Sequence, residues 1–202
     1  MFAFFLAALV VAAVPGPDNL FVLAQSATFG SRAGWRVILG LCTGICIQVS
    51  LIVAGISVII VNSPIAFFVL QCLGAAYLLY LAFQSFRVRA DAVHLSKAQD
   101  LSPKKQYLRG VIMNLTNPKA VIFLLAFLPP AVKLKSPVPP ALQMTGLGGL
   151  FILSVLIVFG AVAFAAGALN KFLAGSPKAN RNLNWASGVI FVLLAITLFV
   201  AT

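Results

Sequence analysis

The chain has 202 residues, of which 62% are hydrophobic, and its 14 basic and three acidic residues give a net charge of +11. A single soluble core could not bury this much apolar surface behind polar side chains, so the composition excludes an ordinary soluble protein. It predicts an all-α integral membrane protein.

Six segments approach or exceed the roughly 20 apolar residues that a helix needs to cross a bilayer. We therefore predict a polytopic protein with six transmembrane helices, which form a single transmembrane domain over residues 1–202. The predicted spans are Phe2–Phe29, Val37–Val61, Ile65–Phe86, Val111–Val132, Ala141–Leu169 and Trp185–Ala201.

The first span contains VPGPDNLFVL at residues 14–23, which places two prolines, a glycine and the ionisable Asp18 inside an apolar run. A cleaved signal peptide would also be apolar, but Met1–Phe4 offers no basic region, and apolar sequence resumes directly after the small residues that could be cut. Alternatively, this segment enters the membrane and returns to the same side, which would leave five full spans.

The second span contains a GxxxG pattern at Gly40 and Gly44, which allows another helix to approach closely. We interpret it as packing inside the protein rather than as a dimer contact. Cys42 and Cys46 share a face of the same span, but no His or carboxylate accompanies them. We therefore predict packing residues there and no metal site.

The fourth span is interrupted like the first. VIMNLTNPKAVIF at residues 111–123 places three polar residues, a proline and Lys119 in apolar sequence. Proline is preorganised for the first position of a helix, and the residue before it is driven out of the α region. We therefore predict that a new helix begins at Pro118 with Asn117 as its N-cap.

By the same reasoning, a new helix begins at Pro17 with Gly16 as its cap, so that Gly-Pro-Asp aligns with Asn-Pro-Lys. With three spans in each half, the second half runs in the opposite direction. The pattern predicts two inverted three-helix repeats, 1–86 and 111–202, joined by a loop at 87–110. Breaks at matching positions of inverted halves indicate the central binding site of a transporter.

Asp18 and Lys119 are the charged residues of the two breaks. A charge near the middle of a bilayer costs about 2.5 to 3.5 kcal/mol on insertion scales, so such residues are usually paired or face a cavity. A functional cavity is the favoured interpretation, and a purely structural ion pair is the alternative.

The basic residues concentrate in alternate loops, with 11 of the 14 in loops 30–36, 87–110 and 170–184. The positive-inside rule places these loops in the cytoplasm, and places 62–64, 133–140 and the C-terminus outside. The basicity therefore reflects topology and predicts no nucleic-acid partner.

These motifs resemble the LysE/RhtB (lysine exporter) family of amino-acid translocators. The resemblance covers nearly the whole chain and rests on PGPDNLFVL at 15–23, GSRAG at 30–34, GAAYL at 74–78 and NLTNPKAVIF at 114–123. It implies efflux of amino acids or close derivatives from the bacterial cytoplasm across the inner membrane, driven by a proton or ion gradient. Members of the family differ in their cargo.

Some members of this family carry an Asp directly after the second glycine of the GxxxG, where this chain has Ile45. Asp18 is therefore the only carboxylate within the predicted spans. This favours neutral amino acids or close derivatives over dibasic cargo.

An amino acid is a zwitterion, and a buried site must satisfy its carboxylate and its ammonium together. The N–H groups at the second break, with Lys119, suit the carboxylate, whereas Asp18 and the carbonyls of 14–16 suit the ammonium. We hypothesise that Asp18 and Lys119 contact each other across the site, and that Asp18 takes a proton during return. The predicted substrate-binding residues are Gly16, Pro17, Asp18, Asn19, Asn114, Thr116, Asn117, Pro118 and Lys119.

Other classes of function fit less well. A hydrolase needs a nucleophile and a base within the spans, so we predict that the protein is not an enzyme. A cation or metal-ion transporter would need more oxygen or sulfur ligands. A non-transporting structural protein would retain its function when Asp18→Lys is combined with Lys119→Asp. We predict no cofactor; the partners are a small amino acid and the lipid bilayer, and a homo-oligomer is left open.

Overall fold

The computed structural model describes residues 1–62, 64–87, 100–133, 136–175 and 177–200. Residues 88–99, half of the predicted loop at 87–110, and Ala201 at the end of the sixth predicted span lie outside these ranges. Within the described residues, all regular structure is α-helical. The helices are α1 Phe2–Ala13, α2 Pro17–Phe29, α3 Ser31–Asn62, α4 Pro64–Arg87, α5 Pro103–Thr116, α6 Pro118–Phe127, α7 Pro140–Gly175 and α8 Pro177–Val200.

Length and composition identify two candidate membrane spans in the described part of the chain, Ser31–Gly55 in α3 and Pro140–Ala166 in α7. Each bent pair, α1 with α2 and α5 with α6, adds one more if it is taken as a single broken span. Large apolar side chains such as Phe68 and Phe164 are exposed, as expected of a surface that contacts lipid. The all-helical membrane architecture is confirmed, whereas the number of six crossings stays a prediction.

Several helices extend beyond the predicted spans. Helix α3 begins at Ser31 and α5 at Pro103, both inside segments that the sequence predicted as loops. Pro103 occupies the first turn of its helix, behind Ser102 at the N-cap position. Apolarity marks the part of a helix that contacts lipid, whereas the end of the helix is set by such local signals.

Helices α3 and α7 pack against each other at the centre of the molecule, and α2 packs against both. Helix α5 packs against α3, and α1 packs against α7. Helices α4 and α8 form a separate pair, in which α4 contacts α6 and α3, and α8 contacts α7. The central core includes the fully buried Ile38 and Leu41 of α3 and the nearly buried Phe151 of α7.

The crossing of α3 and α5 depends on two glycines. A Cβ atom on Gly40 would lie 2.9 Å from the Val111 nitrogen and 3.0 Å from the Cα of Gly110, so the two backbones are in contact. Gly44, one turn further along α3, faces Asn114. The prediction that this GxxxG packs inside the protein is confirmed.

Candidate functional site

The first break separates α1 from α2. Helix α1 ends at Ala13, and α2 begins at Pro17 with Gly16 in an extended conformation at the cap. The two helix axes differ by 61°, which fits either a broken span or a re-entrant segment. The Nδ2 atom of Asn19 donates to the Ala12 carbonyl oxygen at 2.9 Å, which satisfies one acceptor that the break leaves without its helical donor.

The second break separates α5 from α6 with a bend of 54°. Asn117 is the N-cap, and its Oδ1 accepts the backbone N–H of Lys119 at 2.9 Å. Pro118 is the first residue of α6. Both predicted caps and both predicted helix starts are therefore confirmed.

Gln48 of α3 stabilises the second break from outside. In a continuous helix, the residue at position 118 would donate its N–H to the Asn114 carbonyl, but Pro118 has none. Instead, Gln48 Nε2 donates to this oxygen at 2.8 Å, and the Asn117 N–H donates at 3.1 Å. Gln48 is a site residue that the sequence analysis missed. Its spacing of four from Gly44 places it on the helix face that contacts α5, and this was the available signal.

The two breaks bind each other directly. The Asn117 Nδ2 donates to Asp18 Oδ2 at 2.5 Å, and the Lys119 Nζ donates to the Val14 carbonyl oxygen at 3.0 Å. The second break thus supplies donors, and the first break supplies acceptors. The two breaks are therefore in contact, as a shared central site requires.

The predicted interaction between Asp18 and Lys119 is electrostatic and is not a direct bond. Within the described residues no salt bridge joins them; Asp18 is bonded to Asn117, and Lys119 to Val14. The Lys119 ammonium bonds to the Val14 carbonyl just after the end of α1. The amide of Asn117, the N-cap of α6, bonds to the Asp18 carboxylate. The two charges still lie at the same junction.

A cavity of about 20 Å³ lies beside this junction. Asp18, Asn114 and Lys119 line its polar side, while Leu41 and Phe151 are among its apolar walls. A volume of this size holds about one water-sized group. A complete amino acid therefore does not fit without movement of the surrounding helices.

Four side-chain oxygens near the junction are buried and have no hydrogen-bond donor among the described residues. They are Asp18 Oδ1, Asn19 Oδ1, Gln48 Oε1 and Asn114 Oδ1. Buried polar groups are normally paired, so these four unpaired acceptors need an explanation. All four would accept a hydrogen bond from a group that carries N–H or O–H donors.

The remaining predicted site residues take different positions. Gly16 is half-buried, and a Cβ atom there would lie 3.2 Å from the Lys119 Nζ. Pro17 and Pro118 are exposed and act through the backbone they shape. Thr116 is exposed, and its hydroxyl donates to the Ile112 carbonyl of its own helix at 2.8 Å. The structure does not bring Thr116 into the cavity.

The family model of LysE type translocators matches residues 9–202 of the chain. A homoserine/homoserine lactone efflux protein of Salmonella typhi is 33% identical over 198 residues, which cover 98% of this chain and 94% of the relative. The protein of the same name in Salmonella typhimurium is 32% identical with the same coverage. An uncharacterized membrane protein of Vibrio cholerae serotype O1 is 29% identical over 94% of this chain and 91% of its own. No solved structure matches the chain at a significant level.

Proposed function

Because the chain belongs to the LysE type translocator family, we propose that it is a secondary transporter that exports amino acids or close derivatives across the bacterial inner membrane. Two relatives with which it shares nearly its whole length are efflux proteins by name. The observation that carries the proposal is the junction of the two breaks, where Asp18 and Lys119 each bond to the opposite break.

The proposed architecture is a pair of inverted repeats related by an axis in the membrane plane. Two observations support it. The breaks are alike, each with a proline that starts the second helix and with bends of 61° and 54°. The packing is also reciprocal, since α1 contacts α7 as α5 contacts α3. Access to the site would alternate as the helices move about the two breaks.

The charge at the junction favours neutral cargo. Asp18 contributes one carboxylate and Lys119 one ammonium, and the unpaired oxygens beside them belong partly to the neutral amides Asn19 and Asn114. A zwitterion adds no net charge to this junction, whereas a dibasic amino acid would leave an unpaired positive charge in a buried site, which is costly. Neutral amino acids or close derivatives are therefore the proposed class.

The proposed cycle is an exchange of partners. The ammonium of the cargo enters beside Asp18 and displaces Lys119 from the Val14 carbonyl, and Lys119 turns to the carboxylate of the cargo together with the N–H groups at the start of α6. After release, Lys119 returns to Val14. Asp18 takes a proton during the return step, so that export is coupled to proton entry as antiport.

The proposal is tested by efflux from loaded cells. Cells with and without the protein are loaded with a mixture of the twenty amino acids, and release is followed by mass spectrometry. We expect at least one neutral amino acid to leave faster from expressing cells, and we expect a protonophore to abolish the difference. Equal release of all twenty, with the protein verified in the membrane, would contradict the proposed function.

A further inference from the structure

We propose that the unpaired oxygens of Asp18, Asn19 and Asn114 form a subsite for a primary ammonium group, which the cargo fills with its three N–H donors. The proposal rests on the proposed function and makes it more specific. It states that the protein selects its cargo by the number of N–H groups on the amine, and that the carboxylate is secondary.

Two of these oxygens belong to side chains whose other polar atom is already bonded. Among the described residues Asp18 Oδ1 has no donor, whereas Oδ2 accepts from the Asn117 amide at 2.5 Å. Asn19 Oδ1 likewise has no donor in the described part of the chain, whereas its Nδ2 donates to the Ala12 carbonyl oxygen at 2.9 Å. In both side chains one end is fixed, so the other end cannot turn away to find a donor elsewhere.

Asn114 supplies the third oxygen from the opposite break. Its side chain is 3% exposed, lines the same cavity as Asp18, and leaves Oδ1 without a donor among the described residues. Gln48 holds the Asn114 backbone through the bond to its carbonyl oxygen at 2.8 Å. Gln48 is therefore a positioning residue for this subsite.

The position of Lys119 supports an ammonium as the occupant. Lys119 lines the cavity, and its Nζ donates to the Val14 carbonyl oxygen at 3.0 Å. A Cβ atom placed on Gly16 would lie 3.2 Å from this Nζ and 3.9 Å from Asn19 Oδ1, so the two groups lie close to the same point. The first break thus already accepts an ammonium group of the chain itself.

The size of the cavity and the charge of Lys119 further restrict which groups could occupy the subsite. The cavity of about 20 Å³ has room for a group the size of a water molecule, which an –NH₃⁺ group matches and a trimethylammonium group does not. A free metal cation would add to the positive charge of Lys119. The ammonium of a zwitterion brings its own counter-charge and three donors for three acceptors.

The test uses the purified full-length protein in lipid nanodiscs. Binding is measured calorimetrically for L-homoserine, for its N-methyl, N,N-dimethyl and N,N,N-trimethyl derivatives, and for homoserine lactone. We expect about tenfold weaker binding for each N–H removed, since each loss leaves a buried acceptor without its charged donor. The lactone keeps the ammonium but lacks the counter-charge of a free carboxylate, so we expect it to bind more weakly than homoserine.

A variant of the protein distinguishes the effect of the N–H donor that methylation removes from the effect of the methyl group that it adds. Asn114→Leu removes one acceptor and leaves the backbone bond to Gln48 in place. We expect weaker binding of homoserine and a smaller further loss for the first N-methyl group, because one N–H then has no partner to lose. The matched control is Gln84→Leu, which removes an exposed amide on α4 and should leave the whole series unchanged.

Equal binding of homoserine and its trimethyl derivative by the unaltered protein would overturn the inference, and so would an N-methyl penalty that Asn114→Leu does not reduce. The first of these results needs no variant and holds even if Asn114→Leu fails to fold. If homoserine does not bind, the series is built on the neutral amino acid that cells export. If cells export none, the proposed function fails and the subsite with it.

Discussion

The side chain of Asn117 makes two hydrogen bonds at the junction of the breaks. Its Oδ1 caps α6 by accepting the Lys119 N–H, and its Nδ2 donates to Asp18. Asp could also cap the helix, but an ionised Asp has no donor, whereas the Asn amide caps with its oxygen and donates to the carboxylate with its nitrogen. The sequence predicted the cap because Asn before Pro is a local signal. It could not predict the bond to Asp18, which depends on a partner 99 positions away.

The same limit explains the missed contacts of Lys119 and Gln48. Both side chains bond to backbone carbonyls, at Val14 and Asn114, that lose their usual donors where the helices break. The sequence indicates where carbonyls are freed, because the prolines are visible. It does not indicate which distant side chain supplies the donor, since that depends on how the helices pack.

Asp18→Asn tests the role of the carboxylate. An asparagine keeps an oxygen that can accept from Asn117, so the protein should still insert and fold. It cannot take up a proton, and we expect proton-driven efflux to fall by about a hundredfold or more and its dependence on pH to disappear. The measurement is efflux from proteoliposomes across a series of imposed pH gradients. Export at the parental rate with unchanged pH dependence would show that the coupling mechanism is wrong.

Lys119→Met tests which end of the cargo Lys119 recognises. The variant keeps an unbranched side chain but loses the charge and the bond to Val14. We expect about tenfold or greater loss of affinity for L-homoserine and a smaller loss for its lactone, which has no free carboxylate. Calorimetry on both ligands measures the difference. Lys133→Met, an exposed lysine outside the site, is the control; equal losses for the two ligands would argue against a carboxylate contact.

At the scale of the elements, the caps of α2 and α6 were predictable, whereas the full helix lengths were not. Helix α5 begins at Pro103 and carries Lys104 and Lys105 in its first turn, outside any apolar segment. The GxxxG of α3 correctly predicted that another helix packs closely against it, but the sequence did not indicate which helix. Only the packing identifies α5, and with it the position of Asn114 against Gly44.

Gly44→Ala tests this crossing. A Cβ atom at Gly44 would lie 2.7 Å from the Asn114 Cβ and 2.8 Å from its Oδ1, so α3 and α5 must separate. We expect a loss of about 1 to 3 kcal/mol of stability, as for other overpacked sites, together with reduced efflux. Thermal unfolding in detergent measures the first effect. Gly149→Ala is the control because a Cβ there meets nothing within 4 Å; it should be neutral or stabilising, and an equal loss at both glycines would refute the packing argument.

The distribution of basic residues predicts how the whole molecule is oriented across the membrane. The packing of the helices does not indicate this orientation. Reporter fusions at His94 and Thr202, both outside the described residues, test it. We expect His94 in the cytoplasm and Thr202 outside, because the loop at 87–110 carries a cluster of basic residues. A fluorescent protein and an alkaline phosphatase, each active on one side only, provide the measurement. Both positions on the same side would contradict the topology.

The packing of α5 against α3 and of α1 against α7 also affects how the protein is made. When the ribosome has produced only α1 to α4, the glycine face of α3 and the packing face of α1 have no partners. The first half of the chain therefore stays incompletely folded until the second half has been synthesised. We expect a gene divided between codons 87 and 100 to give two fragments that accumulate only when co-expressed, as immunoblotting would show. Stable accumulation of the first fragment alone would mean that its helices fold without those contacts.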